Sequence, residues 1–488
     1  MTTLNFLLLS ILYFWGSSTA LSMGIGYYTL YRPIISGMIT GLILGDVKLG
    51  ILAGSVVNIM YIDFISTGGS LKGDQCLTAI IAASVSIIFK ISSIESAAIA
   101  YPFGYLGIFI WKYRLSINTI FVNKYEEKFN NKLNPSIALF DGLYPQILLY
   151  VMSTVVILIS FLAVFTFRNL IIKENIEYWL YLFGIFLLNI SIINVLLKLK
   201  NKYSLVLYAS TLGLVLAFKA SSFLMTLFVI IIVISLSYKD VFLSITSKLE
   251  KHDNRILNKR DLFYSWFIWM NFSHACYNYE RLQGMAYAHS MKNIIKKLYK
   301  DNSEIVSTIN KYTEFFNTEP NIGTPIHGYI IYLEEEKSLG NKTIEISYIK
   351  KGMMGIAAGL GDSFTQVVLS PLFISISLML SLDNEFFVAM VPIVLLGIII
   401  IYISYTGWMS GYYNGRQSLI NRINLVKKSK VKLKFPLIFG SMLGVITAKL
   451  IELNYRVISN NSFDIIAVLV ISIIFIIAEK IKQKKNLR

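Results

Sequence analysis

Apolar residues in this chain fall into two long blocks around a polar middle. From about Leu4 to Tyr238 apolar runs dominate, and they return from about Lys351 to Ala478. Between them, from about Leu262 to Tyr348, apolar and polar residues alternate at helical spacing with no run long enough to cross a bilayer. The pattern predicts an all-α polytopic membrane protein, a multi-helix bundle with an added helical region on one side of the membrane. Spans are predicted over Ile137–Phe167, Tyr178–Leu197, Tyr203–Phe218, Ser221–Tyr238, Phe435–Leu453 and Phe463–Ala478. The segment from Leu4 to Ala20 ends in small residues, as a signal peptide does, but it lacks a basic leader. An uncleaved first transmembrane helix is therefore expected.

One stretch departs from an ordinary span. Arg32 to Gly73 carries Gly37, Gly41, Gly45, Gly50, Gly54, Gly68, Gly69 and Gly73 together with Asp46, Lys48, Asn58 and Asp63. Glycine lets backbones bend and approach closely, and an ionisable group at membrane depth costs about 2.5–3.5 kcal/mol. Broken or re-entrant helices lining a cavity satisfy both constraints, and transporters build substrate sites from them.

Composition agrees with the membrane assignment. The 488 residues are 55% hydrophobic and 15% charged, where a soluble domain carries about a quarter charged residues. The formal charge of +17 is concentrated in clusters beside apolar runs, which points to cytoplasmic loops rather than nucleic acid. Lys112–Lys132 holds five basic residues, and Arg416–Lys434 holds seven with no acidic one. Counting crossings puts both clusters, Lys198–Lys202, the mixed-charge linker 239–261 and the C-terminal tail on the cytoplasmic side. The expected domains are a membrane domain over 1–240, a linker over 241–261 and a second domain over 262–488. That second domain divides into a helical region, 262–348, and a membrane section, 349–488. Cys76 and Cys276 lack CxxC spacing and the four histidines lack metal-ligand spacing, so no metal site, disulfide framework or cofactor is expected.

Five blocks stand out in the second domain. They are Asn278-Tyr279-Glu280-Arg281-Leu282-Gln283-Gly284, Glu314-Phe315-Phe316-Asn317-Thr318-Glu319-Pro320, Glu334-Glu335-Glu336, Gly352-Met353-Met354-Gly355 and Gly359-Leu360-Gly361-Asp362. In that order they resemble the IID component of the mannose/fructose/sorbose family of sugar phosphotransferase systems. The first domain resembles the IIC component through Arg32-Pro33, Gly41-Leu42-Ile43-Leu44-Gly45-Asp46, Gly54-Ser55-Val56-Val57-Asn58 and Gly68-Gly69-Ser70-Leu71-Lys72-Gly73-Asp74. The two components are commonly separate proteins; here they are fused, which fixes their stoichiometry and raises their effective concentration. The resemblance implies a permease in the bacterial cytoplasmic (inner) membrane. It would move a hexose or amino sugar inward for phosphorylation by a separate IIB protein, itself charged by IIA, in a homotrimer of paired components. Phosphoryl transfer then belongs to the partners, and the histidines of this chain are not phosphocarriers. An ion-coupled sugar transporter and a sensor or receptor that no longer transports are the alternatives.

Sugar hydroxyls need paired donors and acceptors, which carboxylates and amides supply. The candidates in the first domain are Asp46, Asn58, Asp74 and Gln75, with helix or loop capping as the plain alternative for Asp46 and Asp74. In the second domain they are His274, Asn278, Glu280, Gln283, Asp362 and Gln366. Asn278, Glu280 and Gln283 are expected on one helical face, with His274 above Asn278. Glu314–Pro320 reads as a helix end and turn, Glu334–Glu336 as a solvated acidic run, and Gly359–Asp362 as a tight turn without a phosphate-loop ending. The chain departs from the family pattern near this site. His274 stands where Gln is usual, Tyr277 where Trp is frequent, Asn58 where Glu or Gln is usual, and Gln366–Pro371 where an aromatic- and arginine-bearing run is typical.

Overall fold

The computed structural model describes residues 2–20, 22–63, 73–130, 135–199, 201–219, 255–341, 346–428 and 430–486. Their regular structure is helical. The first half contains α1 (Thr3–Ser17), α2 (Pro33–Leu44), α3 (Val47–Met60), α4 (Gln75–Phe89), α5 (Ser93–Ala100), α6 (Gly104–Asn130), α7 (Tyr144–Thr166), α8 (Glu174–Lys198) and α9 (Lys202–Phe218). The second contains α10 (Lys259–Phe272), α11 (Gly284–Leu298), α12 (Asn302–Tyr312), α13 (Thr324–Ser338), α14 (Ile346–Phe364), α15 (Ser370–Leu382), α16 (Val391–Lys428), α17 (Lys430–Leu453) and α18 (Ser462–Asn486). Among the described residues six segments are long and apolar enough to cross a membrane: Ser93–Phe129, Leu139–Thr166, Asn175–Lys198, Ile346–Leu382, Val388–Asn424 and Lys434–Leu453. Three of the predicted spans appear there within a few residues of their expected ends. The predicted span Ser221–Tyr238 and most of the linker lie outside the described residues.

The glycine-rich stretch forms a hairpin of two short helices. At 12 and 14 residues, α2 and α3 reach only about 18–21 Å, too short for a hydrocarbon core of about 30 Å. Gly45 ends α2 with a φ of +93°, and Asp46 caps α3 by accepting from the Leu49 N–H at 3.0 Å. Close approach fixes the pair: a Cβ on Gly37 would lie 2.4 Å from the Gly50 carbonyl oxygen, and one on Gly54 2.2 Å from that of Pro33.

Two π-helical turns, Leu139–Leu143 and Thr365–Leu369, each precede a helix whose second residue is proline, Pro145 in α7 and Pro371 in α15. Proline donates no N–H and crowds the carbonyl one turn back, and a widened turn relieves both. The helix therefore widens at Thr365–Leu369. The Gly359–Asp362 segment, expected as a tight turn, continues α14 as helix.

Helix α16 reverses direction at Gly415, whose φ of 55° and ψ of −139° suit glycine alone. Arg422 donates to the Ile403 carbonyl at 2.7 Å, and the Ser410 and Ser418 hydroxyls meet at 2.6 Å. Residues 403 and 422 would lie about 28 Å apart on a straight helix.

The basic segment expected as a loop is part of α6. Arg114, Asn118, Val122 and Tyr125 form its buried stripe at helical spacing, while Lys112, Lys124 and Lys128 face outward. Two of the three residues of the acidic run are likewise not solvated. Glu334 is buried and accepts from the hydroxyls of Tyr299 (2.7 Å) and Tyr312. Glu335, fully buried, accepts from the Ile256 and Leu257 N–H groups, each at 2.7 Å, and pairs with Arg255 at 3.0 Å. Each carboxylate is thus supplied with donors, the condition for burying charge.

Candidate substrate site

Each half brings one buried carboxylate to a shared cavity, and the two are held in corresponding ways. Asp74 caps α4, with Oδ1 accepting from the Leu77 N–H and Oδ2 from the Tyr13 hydroxyl, both at 2.9 Å. Glu319 precedes α13. Its Oε1 accepts from the Tyr28 hydroxyl (3.1 Å) and the Asn321 side chain (2.9 Å), its Oε2 from the N–H groups of Asn321 (3.0 Å) and Ile322 (2.5 Å). A glycine backs each one: a Cβ on Gly107 would lie 2.2 Å from the Asp74 Cβ, and one on Gly361 2.4 Å from the Glu319 Cβ. Tyr13 and Trp269 sit at matching positions of α1 and α10, and Trp269 donates to the Pro320 carbonyl at 2.9 Å, beside Glu319. Burial raises the Glu319 carboxyl above the ordinary range, opposed by its N–H donors.

Both carboxylates line one cavity of about 180 Å³ between the halves. Arg114 and Trp111 of α6 enter it from the first half, His274, Tyr277 and Asp362 from the second. Arg114 donates to the carbonyls of His274 (2.7 Å) and Ala275 (3.0 Å), and Asn118 to that of Tyr277 (2.9 Å). The Trp111 and Tyr277 rings stack with centroids 6.1 Å apart, giving the cavity an aromatic wall. Gln366 donates to Asp362 at 3.1 Å.

Behind this wall the Asn278–Gly284 and Glu314–Pro320 motifs lie side by side. The Gln283 N–H donates to the Phe316 carbonyl at 2.9 Å, and the Phe316 N–H to that of Arg281 at 3.2 Å. The Gln283 side chain clamps Thr318, accepting from its N–H (2.9 Å) and donating to its carbonyl (3.1 Å). Those two bonds fix the amide's orientation, so its N–H₂ faces His274 Nε2 at 3.3 Å. His274 must accept there, carrying its proton on Nδ1 next to the Ser273 hydroxyl at 3.3 Å. Burial, reinforced by the Arg114 charge, lowers the imidazole to about 4, so it is neutral near pH 7.

Of the sequence-predicted residues, the main cavity gathers Asp74, His274, Asp362 and Gln366. Asn58 and Gln75, again with Gln366, line a second cavity of about 20 Å³. The others line neither. Asp46 is the α3 cap. Glu280 is exposed, and Asn278 closes a turn by accepting from the N–H groups of Glu280 (3.1 Å) and Arg281 (2.9 Å). The heptapeptide is therefore a turn rather than a helix; α11 begins only at Gly284, because the Asn278 side chain takes the N–H groups a helix would need. Gln283 acts through Thr318 and His274. Sequence reasoning missed Tyr13, Tyr28, Arg114 and Glu319. Glu319 lay inside a recognised motif and was read as part of a turn.

The description of the IIC component of the sorbose-specific phosphotransferase system matches residues 3–235, and that of the mannose/fructose/sorbose family IID component matches residues 256–479. The chain belongs to this family, with IIC and IID joined in one polypeptide. It is similar to the fructose permease IID component of Bacillus subtilis (strain 168), at 34% identity over 166 residues, covering 33% of this chain and 60% of that protein. The mannose-specific EIID component of Escherichia coli (strain K12) is 30% identical over 152 residues, covering 30% and 54%. On the IIC side the sorbose-specific EIIC component of Klebsiella pneumoniae is 29% identical over 94 residues, covering 19% and 35%. The chain thus spans between a third and three fifths of the length of these relatives. A cryo-EM structure of the mannose transporter ManYZ with microcin E492 aligns at 26% identity over 40% of this chain and 70% of that one. Its TM-score of 0.29 supports no comparison of folds.

Proposed function

We propose that this chain is the membrane permease of a phosphoenolpyruvate-dependent sugar phosphotransferase system. It binds a hexose or amino sugar in the cavity between its halves and passes it inward, where a separate IIB protein, charged by IIA, phosphorylates it. The protein works as a homotrimer in the bacterial cytoplasmic membrane, with residues 239–261 and the C-terminus on the cytoplasmic side. One observation carries this reading: a cavity lined by carboxylates, an amide, an imidazole and a stacked aromatic pair, contributed jointly by the IIC-like and IID-like halves. Such a surface suits a polyhydroxylated ring, whose edges form hydrogen bonds and whose faces are apolar. Asp74, His274, Asp362 and Gln366 are the proposed contacts in the main cavity, Asn58 and Gln75 those in the smaller one. The relatives' names extend from fructose through mannose to sorbose, so they leave the individual sugar open.

Uptake of labelled sugar into cells or vesicles tests the proposal. Transport is expected to continue after the proton and sodium gradients are collapsed and to stop when phosphoenolpyruvate is withheld. Uptake that follows the gradients and ignores phosphoenolpyruvate assigns the chain to ion-coupled transport instead.

A further inference from the structure

The smaller cavity shares two walls with the larger: Tyr27 and Gln366 line both. Five buried side-chain atoms around it have no hydrogen-bond partner: Arg32 Nε, Asn58 Nδ2, Gln75 Nε2, Gln366 Oε1 and Ser370 Oγ. Buried polar atoms are nearly always paired, so five around one void indicate a missing ligand atom. At about 20 Å³ the void holds one oxygen-sized atom, since a single water needs about 10–15 Å³.

The types of these atoms narrow what that atom is. Arg32 Nε only donates, which excludes a cation such as an ammonium group. Gln366 donates its N–H₂ to Asp362, which leaves its Oε1 as a buried acceptor without a partner, and an acceptor disfavours a halide or carboxylate. An atom that both accepts and donates suits the set, and a hydroxyl does so. Arg32 is kept in place by its position before Pro33 at the start of α2 and by its guanidinium lying 4.8 Å above the Tyr27 ring.

We infer that the smaller cavity is a specificity subsite for one hydroxyl of the transported sugar, with Arg32 as its principal discriminating donor; the inference rests on the permease reading. When sugar occupies the main cavity, one hydroxyl passes between Tyr27 and Gln366, accepts from Arg32 and from the Ser370 hydroxyl, and donates to Gln366. A trapped water has the same chemistry, and the experiment separates the two.

The full-length purified protein is titrated with a panel of hexoses and 2-amino-2-deoxyhexoses, then with each monodeoxy analogue of the tightest binder. The expected result is one hydroxyl whose removal weakens binding by at least about tenfold, because a site built for a hydroxyl is left with unpaired donors. In Arg32→Gln and Ser370→Ala the penalty at that position falls towards unity, while penalties at the other positions persist. Ser370→Ala removes one buried oxygen and keeps the test valid should Arg32→Gln fail to fold. Sugar binding with unchanged penalties in both variants identifies the occupant as water and overturns the subsite. Binding of no sugar by the unaltered protein overturns the permease reading itself.

Discussion

At the scale of single residues, the site depends on buried carboxylates whose donors come from fixed backbone. In Glu319→Gln either orientation of the amide turns its N–H₂ towards donors, the Asn321 and Ile322 N–H groups on the Oε2 side or the Asn321 side-chain N–H₂ on the Oε1 side. Leaving those donors unpaired should cost about 1–3 kcal/mol, read as a lowered thermal midpoint of the purified protein, whereas Tyr28→Phe removes one bond and should cost about 0.5–1.5 kcal/mol. His274 gives a pH dependence of known sign. Its folded value near 4 lies below the unfolded 6.5, so the unfolded chain binds the extra proton first. Its contribution is therefore complete above pH 6.5 and is lost as pH falls towards 4, while His274→Gln should flatten that part of the stability profile. Asp74, His274, Asp362 and Gln366 were legible because polar side chains in an apolar chain attract attention. Arg114 was not, since its cluster of cations has the composition of a cytoplasmic loop and only helical phase turns this one inward.

Among the elements, the sequence revealed composition better than direction. Hydropathy alone joins residues 388–424 into one span, but the reversal rests on the dihedral angles of Gly415, which carry no hydropathic signal. Gly415→Ala should destabilise by about 1–3 kcal/mol from backbone strain; limited proteolysis would reveal a loosened second arm, and an unaltered cleavage pattern would argue against the hairpin. The α2–α3 hairpin was legible in outline because repeated glycines announced close backbones. The Asn278–Gly284 turn was misread because its residues tolerate a helix in isolation. What stops the helix is the Asn278 side chain and the pairing of this strip with a second motif about 30 residues away, a long-range contact that helical periodicity does not encode.

Across the whole molecule the two halves interlock. Besides Arg114 and Asn118, Asp141 in the first π turn meets His289 of α11 at 2.9 Å, Glu126 pairs with Arg281, and Thr211 of α9 donates to the Ser441 carbonyl of α17 at 3.0 Å. These contacts do not pass through the linker. Residues 1–240 and 255–488 expressed as separate chains should therefore co-purify, and Arg114→Ala with Asp141→Asn should release them; free halves from the unaltered pair would contradict the interlock. The presence of two family components was legible in the motifs. Their joint cavity was not, because neither half carries more than one side of it. That division also sets a schedule for synthesis. Arg114 leaves the ribosome before its cavity partners His274 and Asp362, and at about 5–20 residues per second the wait for Asp362 is on the order of 10–50 s. Through that interval the nascent first half holds the Arg114 guanidinium and the Asp74 carboxylate against an unfinished wall.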